Sequence, residues 1–452
     1  MVHRGLAADD LTALRSRLRG PVLAPGGDGY DQARRVWNAS IDRHPGAVAR
    51  CLDTDDVVAG VDFARERDLL LAIRGGGHDV GGHGTCDDGL VLDLSLLKGI
   101  HVDPERRTAR VEPGVVWGEL DAAAAAHALA VTGGQISTTG VAGLTLGGGL
   151  GWLMRDFGLS IDNLLSVDVV TAEGERLNAS QVAHSDLFWA MRGAGANFGA
   201  VTNFEFQLRP LGQILGGTVA HPIARARDVL ELFRTYEMPD ALTVMAYFFT
   251  LHQPFASLAV CYSGPHAEGE RRLAPLRRFG PPLADTIGLM PYTRLQSLFD
   301  VGSPPGFQNY WRSCYLRPLT ADAVDTMAHF VQRMTSPLSI VLLTPMGGAV
   351  QHVARGATAF GHRDAALVLE ILAKWSDPED AAPHVAWANA FWSALQPFST
   401  GGVYVNFLGD DGRVRDAYAP EVYARLAALK RQYDPGNLFR HNLNIAPAAA
   451  SC

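Results

Sequence analysis

No stretch of this 452-residue chain approaches about 18 uninterrupted apolar residues, so no segment reads as a membrane-spanning helix. The first ten residues carry charges and no apolar core, which leaves no visible export signal and makes the cytoplasm the default location. Cysteine is scarce. Cys51, Cys86, Cys261, Cys314 and Cys452 are odd in number and far apart, with neither a CxxC pair nor a His/Cys cluster of zinc spacing, and read as buried or idle thiols. A long basic run is also missing, and with a net charge of -8 nothing recommends nucleic acid or an anionic membrane surface as partner. There is no internal repeat. At 47% hydrophobic residues and 48 glycines, the composition suits a soluble, loop-rich enzyme of two domains acting on a small, weakly charged molecule.

The glycines are gathered in two places. Arg74-Gly75-Gly76-Gly77-His78-Asp79-Val80-Gly81-Gly82 follows the apolar run Leu69 to Ile73 and reads as a strand ending in a loop whose bare backbone can press against a polyphosphate. Alone, such a loop is more often a tight turn beside a satisfied imidazole. A second cluster runs from Gly140-Val141-Ala142-Gly143-Leu144 to Gly147-Gly148-Gly149-Leu150-Gly151 and again offers backbone amides to an anion. Together the two loops can clasp one dinucleotide. Gly195-Ala196-Asn197-Phe198-Gly199 partly mimics a nicotinamide-dinucleotide fingerprint, but it lacks a clear preceding strand and a ribose-binding acid, which argues against that reading. His83 is taken as structural, since a glycine loop does not fix metal-ligand geometry.

Periodicity organises the rest. Thr54 is expected to cap a helix with Asp55 and Asp56 at its positive end; strands are expected at Leu69 to Ile73, Leu90 to Leu94 and within His101 to Val111; a helix covers Trp117 to Leu129; and Val167 to Leu177 forms a hairpin turned at Glu173-Gly174. After Pro210-Leu211-Gly212 the character changes. Helical stretches such as Ala224 to Tyr236 and Ala321 to Met334 alternate with strand-like runs at Leu242 to Leu251, Ser257 to Ser263 and Ser339 to Leu343. The alanine-rich segment Ala446 to Ala450 is expected to fray. Tyr247, Phe248, Phe249, Tyr310 and Trp311 either pack the core of this second region or sandwich an aromatic substrate.

The His78 loop, the second glycine cluster, Asp162-Asn163-Leu164, the segment Asp186 to Gly199 and Tyr433-Asp434-Pro435-Gly436-Asn437-Leu438-Phe439-Arg440 stand in the order found in the berberine bridge enzyme-like FAD-linked oxidases, which the chain closely resembles over nearly its whole length. The resemblance implies an α+β fold of two domains in the PCMH-type, vanillyl-alcohol oxidase-like arrangement. Its parts are an FAD-binding domain over residues 1–209, an inserted α/β substrate domain over 210–400 and a C-terminal return to the first domain over 401–452. It implies covalent attachment of FAD to His78, and cofactor contacts from Arg74, Gly75, Gly76, Gly77, Asp79, Gly81 and Gly82. Further contacts are implied for Thr138, Thr139, Gly140, Gly143, Leu144, Gly147, Gly148, Gly149 and Gly151, and for Val201, Asn406, Asn442 and Asn444. No metal is implied.

By the same resemblance Tyr404, in Tyr404-Val405-Asn406, faces the substrate and assists removal of a hydroxyl proton. A free phenol titrates near about 10, so it needs a cation or hydrogen bonds to act as a base; otherwise it is a strand tyrosine satisfied by backbone. Tyr247, Phe249 and Tyr310 are the candidate substrate contacts. Where doubly linked members carry a cysteine, this chain has Ile136, so one covalent link is expected and oligosaccharide oxidation becomes the poorer fit. The pattern is more similar to bacterial natural-product tailoring members, the enterocin-pathway flavoprotein among them. The implied reaction is hydride transfer from an alcohol, phenolic or polyketide-like molecule to FAD, with dioxygen returned as hydrogen peroxide. An oxygenating enzyme or oxidative cyclase is the alternative, and a non-catalytic ligand carrier stands behind both. A homo-oligomer is left open.

Overall fold

The computed structural model describes residues 6–409 and 412–449; Cys452, Ala450 and the first five residues of the N-terminal stretch lie outside them. Among the described residues no helix is long and apolar enough to cross a membrane.

Two sheets build the glycine-rich region. In the first, Val22–Leu23, Ala47–Arg50, Leu90–Asp93 and Leu71–Arg74 lie side by side in that order, the last three parallel. The helix Thr54–Glu66 crosses over this sheet, burying Val57, Val61, Phe63 and Ala64 against it. Its cap is Asp53, not Thr54: the Asp53 carboxylate accepts from the Asp56 amide at 3.0 Å. The second sheet is antiparallel, ordered Ile100–Asp103, Thr108–Val111, Ala200–Gln207, Leu164–Val170, Arg176–Ser180. The helix expected to reach Leu129 stops at Ala125, because Ala128 turns left-handed (φ 54°) to launch the short strand Leu129–Ala130.

The second region is one large antiparallel sheet. Its main strands, in spatial order, are Ile214–Pro222, Pro254–Tyr262, Leu242–Thr250, Ile340–Pro345, Leu367–Trp375 and Gln308–Leu316. Side chains alternate between its faces. Val244, Ala246, Phe248, Leu369, Ile371 and Ala373 face the helices Ala226–Thr235, Ala321–Val331 and Ala381–Leu395 and form the largest core. Met245, Tyr247, Leu342 and Leu372 face the other way, toward the first region. Cys51, Cys86, Cys261 and Cys314 are buried free thiols.

Three ties join the regions. The segment after Trp37 is stitched to both: Asn38 Nδ2 donates to Val80 O at 2.9 Å and Asn309 O at 3.2 Å, while the Ala39 amide donates to Phe307 O. The buried Arg155 guanidinium donates to the carbonyls of Leu242, Met238 and Met346. The chain end returns to the first region through the helix Pro420–Tyr433, whose Val422, Leu426 and Leu429 join the core around the helix Ser185–Ala194. Here Lys430 and Asp434, both without exposed side-chain surface, pair at 2.7 Å; Lys430 also donates to Asn197 O and Phe439 O. Asp434 accepts from the amides of Leu438 and Phe439. The alanine-rich tail does not fray at Ala448, whose amide donates to Ala427 O and whose carbonyl accepts from Arg431.

Because both members of the Lys430–Asp434 pair are satisfied by backbone and fully dehydrated, removing one leaves a bare charge. Asp434→Ala should cost about 3–5 kcal/mol of stability. Denaturant unfolding would measure it, and a loss below about 1 kcal/mol would show that water reaches Lys430.

Candidate active site

One long cavity lies between the glycine loops and the open face of the large sheet. Its floor comes from a close approach of backbones: a Cβ on Gly76 would stand 2.6 Å from Gly140 Cα, and one on Gly140 would stand 2.7 Å from Gly76 N. Only glycine at both positions lets the two loops cross. A Cβ on Gly143 would meet nothing within 4 Å, because that residue opens onto the cavity. The room and the amides fit a dinucleotide laid along the crossing.

The residues expected to hold a cofactor divide into two sets. Arg74, Gly75, Gly76, Gly77, His78 and Asp79 line the cavity, as do Thr139, Gly140, Gly143, Leu144 and Gly147 from the second loop and Val201, Asn406 and Asn442 from elsewhere. Gly81, Gly82, Thr138, Gly148, Gly149, Gly151 and Asn444 do not line it. Among these, Gly149 and Gly151 are demanded by the protein itself, since side chains there would run into Ser160 and Gly133 O. Arg74 is committed to an ion pair with Asp93 at 2.9 Å, both buried, which ties the ends of two parallel strands. His83 Nδ1 lies 2.8 Å from Asp79 Oδ2. Gly195, Ala196, Asn197 and Gly199 line the same cavity and do not make a separate dinucleotide site.

His78 is half-buried, but its Nε2 is enclosed and without a hydrogen-bond partner among the described residues. Burial, aided by the nearby Lys374 charge, holds the imidazole down to about 4, so it is neutral at physiological pH. An unpartnered, neutral ring nitrogen at the end of a glycine cradle fits a site built to receive a flavin.

Tyr404 is not in a strand. It is an extended residue leading into the single turn Val405–Phe407, and its hydroxyl oxygen accepts from the Gly149 amide at 2.9 Å and from Asn406 Nδ2 at 2.7 Å. Both lone pairs are engaged, so the phenol proton is what it offers to the cavity. Burial outweighs these bonds and pushes the phenol up to about 12.

The aromatic candidates split by strand alternation. Tyr247 lines the cavity, stacked on Phe249 at 4.5 Å and tilted against Phe299 at 4.5 Å, while Phe249 sits behind it. Tyr310 points to the helix side of its strand and donates to Asn389; its neighbour Trp311 is the one that faces the cavity. Phe248 likewise belongs to the helix-side core.

Glu370 escaped the reading of the sequence. It stands in the middle of the strand Leu367–Trp375, is 4% exposed and faces the cavity among Tyr247, Leu342 and Leu372. Thr344 Oγ1 donates to it at 3.3 Å, and Gln135 Nε2 bonds Thr344 at 3.1 Å. Burial raises its carboxyl from 4.5 to about 8. The available signal was an acid and Lys374 on one parity of an otherwise apolar strand.

Two family models match the chain: an FAD binding domain over residues 45–180 and a berberine and berberine-like domain over 403–446. (R)-6-hydroxynicotine oxidase of Paenarthrobacter nicotinovorans is 34% identical, the match covering 95% of this chain and 97% of that one. An FAD-linked oxidoreductase of Dictyostelium discoideum is 31% identical over 95% of both. Among solved structures, 6-hydroxy-D-nicotine oxidase from Arthrobacter nicotinovorans superposes with a TM-score of 0.88 at 32% identity, covering 95% of this chain and 98% of that one. Berberine bridge enzyme-like 1 of Physcomitrella patens shares the fold, with a TM-score of 0.90 at 24% identity over 98% of this chain and all of that one.

The raised Glu370 carboxyl sets a sign for stability. The folded protein keeps a proton that the unfolded chain gives up at 4.5, so stability is fully present below that value and is lost as pH rises toward about 8. Glu370→Gln cannot ionise. Its melting temperature should match wild type near pH 4.5 and exceed it increasingly up to pH 8; a constant difference across that range would remove the burial of this charge from the account.

Proposed function

The chain belongs to the berberine bridge enzyme-like FAD-linked oxidoreductases of PCMH-type fold, and from that we propose a specific reaction: oxidation of a small aromatic molecule through a hydroxyl-bearing or amine-bearing carbon, with Glu370 as the proton acceptor. When bound, the flavin accepts hydride from that carbon and passes the electron pair to dioxygen, which leaves as hydrogen peroxide. The observation that carries the reading is Glu370 itself, a buried carboxyl facing the same cavity as His78 and Tyr404.

His78 is the residue to hold the flavin covalently, with the amides along the Gly76–Gly140 crossing supporting the rest of the dinucleotide. Glu370 takes the substrate proton. A carboxylate titrating near about 8 is a far better base at neutral pH than a phenol near 12, so Tyr404 is assigned to orientation, donating its proton to the substrate heteroatom. The wall of Tyr247, Phe299, Trp311, Ile340, Leu342 and Leu372 excludes water and favours a flat apolar substrate over a sugar. Ile136, also in the wall, cannot form a thioether, which supports a single link. This profile fits a phenolic or polyketide-like natural product.

Purified protein should keep its yellow colour on the polypeptide after acid precipitation, whereas His78→Ala should bind FAD noncovalently when native and release all of it on acid precipitation. Flavin left attached in that variant would move the anchor elsewhere. Glu370→Gln should slow anaerobic flavin reduction by about 10²–10⁴-fold, and Tyr404→Phe by less. In wild type the reduction rate should fall below about pH 8 as Glu370 takes up a proton. Unchanged kinetics in Glu370→Gln would return the base role to Tyr404. Label from ¹⁸O₂ in the organic product would replace the oxidase reading with an oxygenase.

A further inference from the structure

We propose that Trp37, a residue of the segment that bridges the two regions, is a positioning residue for the flavin bond: its indole, with the Lys374 ammonium against it, presents the imidazole of His78 to the flavin methyl carbon. The inference rests on the reading of His78 as the covalent anchor.

The geometry is a cluster of three groups around the indole. The Trp37 and His78 rings stack with centroids 4.5 Å apart and planes 20° from parallel. On the indole stands the Lys374 ammonium, 6.0 Å from its centroid and donating to Gly302 O. Lys374 is 2% exposed and does not line the cavity, so the indole separates it from any substrate. Both the indole and the backbone of Trp37 are held in place. The indole Nε1 donates to Ser303 O at 3.0 Å, while the backbone of Trp37 is fixed by its amide donating to Gly77 O at 3.0 Å and its carbonyl accepting from the Gly306 amide. The same turn grips the second glycine loop, where Asp300 accepts from the amide and hydroxyl of Ser137. The turn Asp300–Gly302 and the Ser303 that follows it therefore hold both the indole against His78 and the loop across the cavity.

The chemistry needs such a platform. One imidazole N–H bond and one C–H bond of the flavin methyl group break and one C–N bond forms. The two hydrogens and their electrons end on dioxygen as hydrogen peroxide. The ring must be neutral to supply a lone pair, and a stacked, dehydrated imidazole is neutral. The charged groups facing it are Lys374, which opposes its protonation, and Asp79 and Asp300, which favour it; burial outweighs all three. Removing the indole admits water and frees the ring to rotate.

The test uses full-length protein made under riboflavin starvation, loaded with FAD and sampled over time for acid-insoluble flavin between pH 5 and 8, with noncovalent binding followed by fluorescence. Trp37→Leu should still bind FAD but form the link at least tenfold more slowly at pH 7.5. Its rate should fall further below pH about 6.5, where an exposed imidazole protonates, while the wild-type profile stays flat. Trp37→Phe keeps a stacking ring and should restore the rate to within threefold. Lys374→Met should move the inflection upward in pH, and it carries the test should Trp37→Leu not fold. Wild-type rates and a flat profile in Trp37→Leu, or in Lys374→Met where only that variant folds, would overturn the proposal. Wild type with no acid-stable flavin would instead overturn the covalent reading on which it rests.

Discussion

Everything in this site hangs on one steric fact, that the backbones at Gly76 and Gly140 approach too closely for any side chain. The crossing draws the end of a parallel strand against the start of the short helix Val141–Leu146, which belongs with the second sheet's core. A seam between two sheets thereby becomes a floor lined with amides, and the open face of the large sheet becomes its roof. Substituting alanine on either glycine would not merely crowd the loop; it would push the two sheets apart. Two buried ion pairs stiffen the neighbourhood: Arg74 with Asp93 joins two strand ends of the first sheet, and Lys430 with Asp434 holds the returning helix to Asn197 and Phe439.

Dehydration then acts in opposite directions on the two ionisable groups that matter. It lowers the imidazole of His78 and raises the carboxyl of Glu370, and both moves favour the uncharged form. A cavity that keeps its groups neutral at rest can take an apolar aromatic molecule without stranding a charge. The proposed acceptor is the ionised fraction of Glu370, which grows as pH rises toward about 8, and taking a proton returns the carboxyl to its neutral form. Tyr404 lies outside this scheme as a base because its two hydrogen bonds do not offset its burial.

What could be read from the chain followed from local rules. Glycine clusters, strand alternation and the turn at Gly174 are each decided by a few neighbouring residues, and the cradle around His78 was legible for that reason. Side-chain direction at a distance was not. Tyr310 and Trp311 are adjacent, and nothing short of the sheet's packing decides which of them meets the cavity. Gly149 and Gly151 looked like cofactor glycines but are required by Ser160 and Gly133, contacts made across the fold. Glu370 was hidden because a single acid in an apolar strand has no motif; its meaning comes from the neighbours that other strands and loops supply.

The strand Leu367–Trp375 shows why a sheet suits this roof. Leu369, Ile371 and Ala373 lock it into the helix-side core, so its other face is rigid. On that face Glu370 and Lys374 are separated by four residues, about 13 Å along an extended strand. The distance is too great for the two to neutralise each other, and each is left to a different neighbour: Glu370 to the aromatic wall, Lys374 to the indole behind His78. A loop carrying the same pair would let them collapse into a salt bridge. By holding them apart, one strand fixes the separation between the indole stacked on His78 and the buried carboxyl that faces the cavity.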